Sequence, residues 1–254
     1  MIFTIKLADE AIEIHSIYDK VYDWCRDYLI PADASPENKL KIVITQEDLE
    51  KEDRLSQNMG RTKNPDSFMV YHPAHLELFA VYRRICEELP FRSVMMMHGS
   101  AISTDGRGYM FTAPSGTGKT TRTMLWQKVY PQSVIVNGDK PLIRVEDEGA
   151  YVYGTPWAGK ESYNSNTSVR LQTVFLLERT NEGEPDSITR LSPYEAFPFV
   201  YRQIYLPEDP SVKEQVLNLL EKFINNVKIY RLRCAPTEEA IKMAMTADMG
   251  EITT

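Results

Sequence analysis

The sequence is poor in the residues that mark several large protein classes. Cys25, Cys86 and Cys234 are its only cysteines in 254 residues, odd in number, far apart and without metal-ligand spacing. That excludes a disulfide framework and a zinc module, and it points to buried, unreactive thiols in a reducing compartment. No apolar run approaches the roughly 20 residues that span a bilayer. The opening MIFTIKLADE has neither the basic flank nor the small-residue cleavage site of a signal peptide. The expectation is a cytoplasmic chain with no membrane partner. Basic residues are in deficit, 29 Lys and Arg against 36 Asp and Glu, for a net charge of -7. A field of that sign repels polyanions, so nucleic acid is not an expected partner. Repeats, linkers and low-complexity tracts are also missing.

What is present is an ordinary globular composition, 43% hydrophobic and 26% charged, at a length that suits one large domain or a domain with a smaller attachment. Phe3, Ile5, Leu7, Ile12 and Ile14 keep a two-residue period and predict a hairpin. A helix is expected over Tyr18–Ile30, a strand over Lys41–Thr45, a polar loop over Ser56–Ser67 and an amphipathic helix over His75–Leu89. Ser93–Ile102 and Tyr109–Thr112 read as strands joined by the turn residues Asp105-Gly106, leading into a glycine-rich loop and a helix from Lys119. Further strands are expected over Ser133–Val136, Leu142–Val145, Tyr151–Tyr153 and Val169–Glu178, the last turning over Asn181–Asp186 to return through Ile188. Asp209-Pro210 starts a helix, Tyr230–Cys234 alternates as a strand, and Thr237 caps a final helix. So many hairpins around one loop predict an α/β fold with a mixed central sheet over 73–254, preceded by a smaller α/β segment over 1–72.

The chemistry concentrates in Ala113-Pro114-Ser115-Gly116-Thr117-Gly118-Lys119-Thr120. Apart from Ala113, which stands where glycine usually opens the pattern, this is a phosphate-binding loop between a strand and a helix. Its glycines let backbone amides turn inward, the helix adds its positive N-terminal end, Lys119 reaches the terminal phosphates and the Thr120 hydroxyl suits Mg²⁺. The apolar strand ending in Asn137-Gly138-Asp139 delivers a carboxylate fit to bind Mg²⁺ or to accept a hydroxyl proton. His98 lies among Met95, Met96, Met97 and Gly99, where a packed histidine is the ordinary case; beside the loop it would instead hydrogen-bond Asp139. The segment Gly154-Thr155-Pro156-Trp157-Ala158-Gly159-Lys160-Glu161 is a polar loop in which Lys160 and Glu161 would face phosphate and metal, or would form a surface ion pair beside a packed Trp157.

Taken together, His98-Gly99-Ser100, the loop Pro114–Thr121, the strand ending in Asp139 and Gly154-Thr155-Pro156-Trp157 resemble the HPr kinase-like proteins, which share the phosphoenolpyruvate-carboxykinase-like nucleotide fold. The likeness is strongest over 73–179. It implies that Ser115, Gly116, Thr117, Gly118, Lys119, Thr120 and Thr121 hold ATP, that Thr120, Asp139 and Glu161 serve Mg²⁺, and that Asp139, His98 and Lys119 are catalytic. Gly138-Asp139 replaces the two adjacent aspartates of the bifunctional HPr enzymes, and their Arg-Gly signature loop is missing. The resemblance is therefore to a divergent kinase whose acceptor is a hydroxyl, of serine above all, in a peptide, protein or small molecule. Relatives of that kind occur beside pathways for ribosomally made peptides. The alternative is a nucleotide-binding partner protein without catalysis; a homo-oligomer fits either.

Overall fold

The structure, a computed structural model, describes residues 1–34, 36–63, 70–180 and 184–250, with the backbone alone for 59–63. Two compact units are present, Met1–Glu88 and Leu89–Thr254.

In the first unit, β1 (Ile2–Leu7) and β2 (Glu10–His15) form the expected antiparallel hairpin with Ile5 opposite Ile12, and β3 (Leu40–Val43) joins β2 in parallel. The helix expected over Tyr18–Ile30 is shorter. It comprises α1 (Lys20–Trp24) and a single 3-10 turn over Arg26–Tyr28. Its end is drawn into β pairing instead, with Leu29 bridging Ile5 and the Ile30 N–H donating to Thr4 O at 2.9 Å. The polar loop expected from Ser56 is helical: α2 runs over Gln46–Lys63, and 64–67 lie outside the described residues. A reciprocal cap starts α2, since the Asp48 carboxylate accepts from Thr45 N–H at 2.9 Å while Thr45 Oγ1 accepts from Asp48 N–H at 3.3 Å. The polar residues from Ser56 misled the sequence reading; the helix that they continue is fastened to α3 (Pro73–Glu88) by Glu52, almost fully buried, and Arg83. As α3 packs on α1 and α2, the compact unit extends to Glu88 and not to the expected boundary at 72/73.

The second unit contains β4 (Val94–Met96), β5 (Ser100–Thr104), β6 (Arg107–Thr112), α4 (Lys119–Val129), β7 (Val134–Asn137), β8 (Leu142–Glu146), β9 (Gly149–Tyr153), β10 (Ser168–Glu178), β11 (Ser187–Arg190), α5 (Pro193–Tyr201), α6 (Pro210–Asn226), β12 (Lys228–Arg233) and α7 (Glu238–Met249). Strand order is β4-β8-β9-β10-β6-β5-β7, with β12 also on β10 and β11 beyond it. The sheet is mixed, as expected: β10 is parallel to β6 and β12, and the other pairs are antiparallel. Two apolar clusters cover it. One joins β8, β9 and β10 to α5 and α6; the other sets Tyr109, Phe111 and Phe175 around Trp126 of α4 and reaches α7. All three cysteines are buried, and burial pushes the Cys25 thiol up to about 12.

Two expectations need correction. The strand expected over Ser93–Ile102 is two strands in different parts of the sheet, β4 on β8 and β5 between β6 and β7, so His98 lies at a crossing and not within a strand. There the His98 and Gly99 N–H groups leave the ladder and donate to Gln203 O at 2.7 Å and Asp139 O at 2.9 Å. The return through Ile188 does not pair with β10 either, because β12 lies between them; of the turn expected before it, 181–183 lie outside the described residues.

The last helix is fastened by a carboxylate. Asp248, 5% exposed, accepts from Thr173 Oγ1 at 2.6 Å, Lys228 Nζ at 3.1 Å and the Tyr109 hydroxyl at 3.2 Å. Burial pushes this carboxyl up, but the bonds from Thr173 and Lys228, the Lys228 charge and the bond from Tyr109 outweigh it and hold it below its ordinary value. A carboxyl depressed in the folded state stabilises above its unfolded pKa, and that contribution disappears as pH falls through the folded value. Asp248→Asn should therefore cost about 1–3 kcal/mol at pH 7, and the gap in melting temperature should narrow below about pH 4. Melts at pH 7 and pH 3 check this; an equal gap at both would contradict it.

Candidate functional site

The glycine-rich loop leaves the end of β6 and enters α4 at Gly118, whose φ of 99° belongs to the left-handed region that favours glycine. Its carbonyls are held from behind. Lys119 Nζ donates to Ala113 O at 2.9 Å and Pro114 O at 3.4 Å, Arg179 Nη2 to Gly116 O at 2.6 Å, and Arg122 Nη1 to Thr117 O at 3.3 Å and Gly118 O at 3.4 Å. Arg122 is almost fully buried, and its Nη2 also donates to Cys234 O at 2.7 Å, so the first turn of α4 is tied to the end of β12. A further brace joins Ser100 Oγ of β5 to Thr123 Oγ1 of α4 at 2.7 Å. The donor side of the loop is uncommitted: the N–H groups of Ser115, Gly116, Gly118, Lys119, Thr120 and Thr121 make no hydrogen bond to another described residue. Such a row at a helix N-terminus suits an anion.

Asp139 follows β7 in a turn built by Asn137. The fully buried Asn137 carboxamide accepts from the N–H groups of Asp139 at 2.9 Å and Lys140 at 2.8 Å, and donates to Thr155 O and Oγ1, each at 3.0 Å. Thr155 Oγ1 donates onward to Lys140 O at 3.0 Å. The Gly154–Trp157 segment thus supports the Asp139 turn, and Gly154 is required because a Cβ there would run into the carbonyls of Ser165 and Val136. His98 Nε2 lies 3.1 Å from Asp139 Oδ1, and Nδ1 lies 3.3 Å from Gln203 Oε1. Burial pushes the Asp139 carboxyl up. The His98 hydrogen bond and charge, with the charges of Lys140 and Lys119, overcome that and hold it below its ordinary value. For Lys119, burial lowers the ammonium pKa and the charge of Asp139 partly offsets this.

The structure thus brings together the loop, Lys119, Asp139 and His98. Lys160 and Glu161 are exposed on the turn that follows Gly159, where a Cβ would meet the Asp139 side chain; among the described residues no ion pair joins the two and no group of three metal-ligating side chains forms. Asn137 and Gln203 were missed as site residues. Asn137 carried a signal, since an Asn two residues before a turn carboxylate favours an Asx turn; Gln203 carried none, being 105 residues from His98.

Two cavities flank the loop. One, about 450 Å³, lies beside Gly116–Gly118, Thr121 and Arg122 and is closed by Cys234, Ala235 and Pro236. The other, about 360 Å³, is bounded by Thr112–Pro114, the end of β10, and Phe199, Arg202 and Gln203. Thr117 and Arg179 border both.

No protein-family model matches the sequence, and no curated protein sequence does. Among solved structures, the chain is similar to the Hpr(Ser) kinase/phosphatase from Coxiella burnetii at 9% identity and a TM-score of 0.35, over 61% of this chain and 95% of that one. So distant a likeness leaves the function to be read from the residues.

Replacing Asn137 with leucine keeps its bulk but leaves two N–H groups and the Thr155 acceptors without their partner. Each buried polar group so stranded costs about 1–3 kcal/mol. Asn137→Leu should therefore lower the melting temperature by several degrees or leave the chain unfolded at 37 °C; a melt within a degree of the parent would contradict the clamp.

Proposed function

We propose that the protein binds ATP with Mg²⁺ and transfers the γ-phosphoryl group to a hydroxyl. The observation that carries this reading is the row of uncommitted N–H groups from Ser115 to Thr121, set at the start of α4 and within reach of the charge field of Lys119 and Asp139. The larger cavity, beside Thr121 and Arg122, offers the nucleoside a place next to its phosphates. For Mg²⁺ the available donors are the Thr120 hydroxyl and the Asp139 carboxylate, both hard oxygens. One or two such groups plus phosphate oxygens make an ordinary magnesium site. Bound there, the ion would neutralise charge on the transferring phosphoryl group.

Within this reading Lys119 exchanges its loop carbonyls for phosphate oxygens, and Asp139 orients the acceptor hydroxyl and takes its proton. One bond forms, acceptor oxygen to γ-phosphorus, and one breaks, γ-phosphorus to the bridging oxygen that departs with ADP. His98, held between Gln203 and Asp139, keeps the carboxylate aimed. Catalysis is then chiefly positioning and charge stabilisation.

ATP with Mg²⁺ should raise the melting temperature, since a ligand in hundredfold excess over its Kd adds about 2.7 kcal/mol. Lys119→Ala should lose most of that shift, and an undiminished shift would place the nucleotide elsewhere. Asp139→Asn should keep the shift while phosphoryl transfer, followed with radiolabelled ATP against an acceptor panel, falls to background. His98→Asn should slow transfer roughly ten- to a thousandfold with the shift intact. Parental turnover per folded molecule in His98→Asn would reduce His98 to packing.

A further inference from the structure

The smaller cavity has a chemistry of its own. Its walls are apolar where Ala113, Pro114, Leu176, Leu177 and Phe199 meet, and most of its polar groups are already engaged. Thr112 Oγ1 donates to His98 O, Thr117 Oγ1 to Pro114 O, and Arg179 to Gly116 O. The Glu178 carboxylate is paired with Arg231 at 3.3 Å and Arg233 at 3.0 Å, so its charge is answered. Arg202 differs. It lines the cavity, is exposed, and makes no hydrogen bond or ion pair to another described residue. It is also adjacent in sequence to Gln203, which lines the same cavity and holds His98. A chain with a net charge of -7 has left one cation unanswered beside an apolar pocket.

We propose that this cavity is the acceptor site and that it takes a hydroxyl compound with an apolar body and an anionic group, the anion held by Arg202. The inference rests on the nucleotide reading above. It follows from the placement of the two cavities, which share Thr117 and Arg179: with the nucleoside in one, the other opens on the loop from beyond that shared wall. Phosphoryl transfer requires donor and acceptor to approach in line from opposite sides of the moving group. The volume of about 360 Å³ is at the small end of ligand pockets, enough for a small metabolite or one residue with its flanking groups. Guanidinium recognises carboxylate and phosphate in a two-pronged geometry that a neutral group does not offer.

The test uses 3-phenyllactate, which combines a ring, a hydroxyl and a carboxylate, and its methyl ester, which lacks only the charge. Binding of each to the full chain is measured by calorimetry with and without ATP and Mg²⁺. The acid should bind at least tenfold more tightly than the ester, and Arg202→Gln should reduce that ratio to near one. Arg202 is exposed, so this variant should fold, and its ATP-induced thermal shift should match the parent's. (1-Hydroxy-2-phenylethyl)phosphonate, which keeps the ring and the hydroxyl and replaces the carboxylate with a phosphonate, separates a preference for phosphate-like anions from one for carboxylate; tighter binding than the ester supports the site in either case. Equal binding of acid and ester, binding of neither, or loss of the ATP shift in Arg202→Gln overturns the proposal. Failure of the nucleotide reading has a different signature, an ATP shift that survives Lys119→Ala.

Discussion

Strand β10 is the constraint on which the second unit depends. Its eleven residues serve three neighbours, with β9 antiparallel at the start, β6 parallel along its length and β12 parallel at the end. A strand so placed is covered on both faces, and its burial pattern shows it: Val174, Leu176 and Leu177 are buried, and Phe175 is fully buried against Phe111 and Trp126. Because β6 and β10 run parallel, they finish at the same edge, where one releases the glycine-rich loop and the other supplies Leu176–Arg179 to the cavity walls. The crevice outside the carboxyl ends of parallel strands is where open α/β sheets collect ligands. Here the mixed sheet provides that edge with two parallel pairs among the described residues, β10 with β6 and with β12.

The same edge gathers cations, and their roles differ. Arg122 and Arg179 are committed to carbonyls, and a guanidinium suits this because its fixed fork reaches two acceptors at once. Lys119 is held by two carbonyls of its own loop, a weaker commitment for a single ammonium on a flexible stem. Burial disfavours its charge and the Asp139 carboxylate restores part of it. A buried ammonium compensated only by carbonyls and one neighbouring charge is poised to exchange them for a more highly charged anion.

Much of this was legible in the sequence, and the reason is locality. The β1–β2 and β5–β6 hairpins, the loop with α4, and the cap of α6, where Asp209 accepts from Ser211 and Val212, are each determined by residues within a few positions of one another. What failed was tertiary. The apolar run over Ser93–Ile102 gave no sign that the chain would change strands at His98, because the break is made by Gln203 and Asp139, whose backbone carbonyls take the two N–H groups. Only the second half of α2, from Ser56, read as a loop, because its residues are polar; the first half carries the contact to α3, through Glu52 and Arg83. Helix α5 was overlooked although Ser192 and Glu195 form a capping box, a signal four residues long that precedes it directly.

The state of Asp139 bears on what kind of catalyst the site would be. A carboxyl held below its ordinary pKa is ionised at neutral pH and is a weak base, poorly matched to pulling a proton from an unactivated alcohol early in a reaction. Phosphoryl transfer makes little such demand, since its loose transition state leaves the attacking oxygen largely protonated until late, and the greater need is to fix that oxygen in line and to balance charge. A low pKa then helps: it keeps a full negative charge available to a metal and a strong acceptor available to the hydroxyl. The surrounding construction fits this purpose. Asn137 fixes the backbone of the turn, Thr155 fixes Asn137, and Gln203 fixes the ring that aims the carboxylate. That much buried hydrogen bonding around one side chain suits an enzyme that relies on the position and charge of Asp139 more than on its basicity.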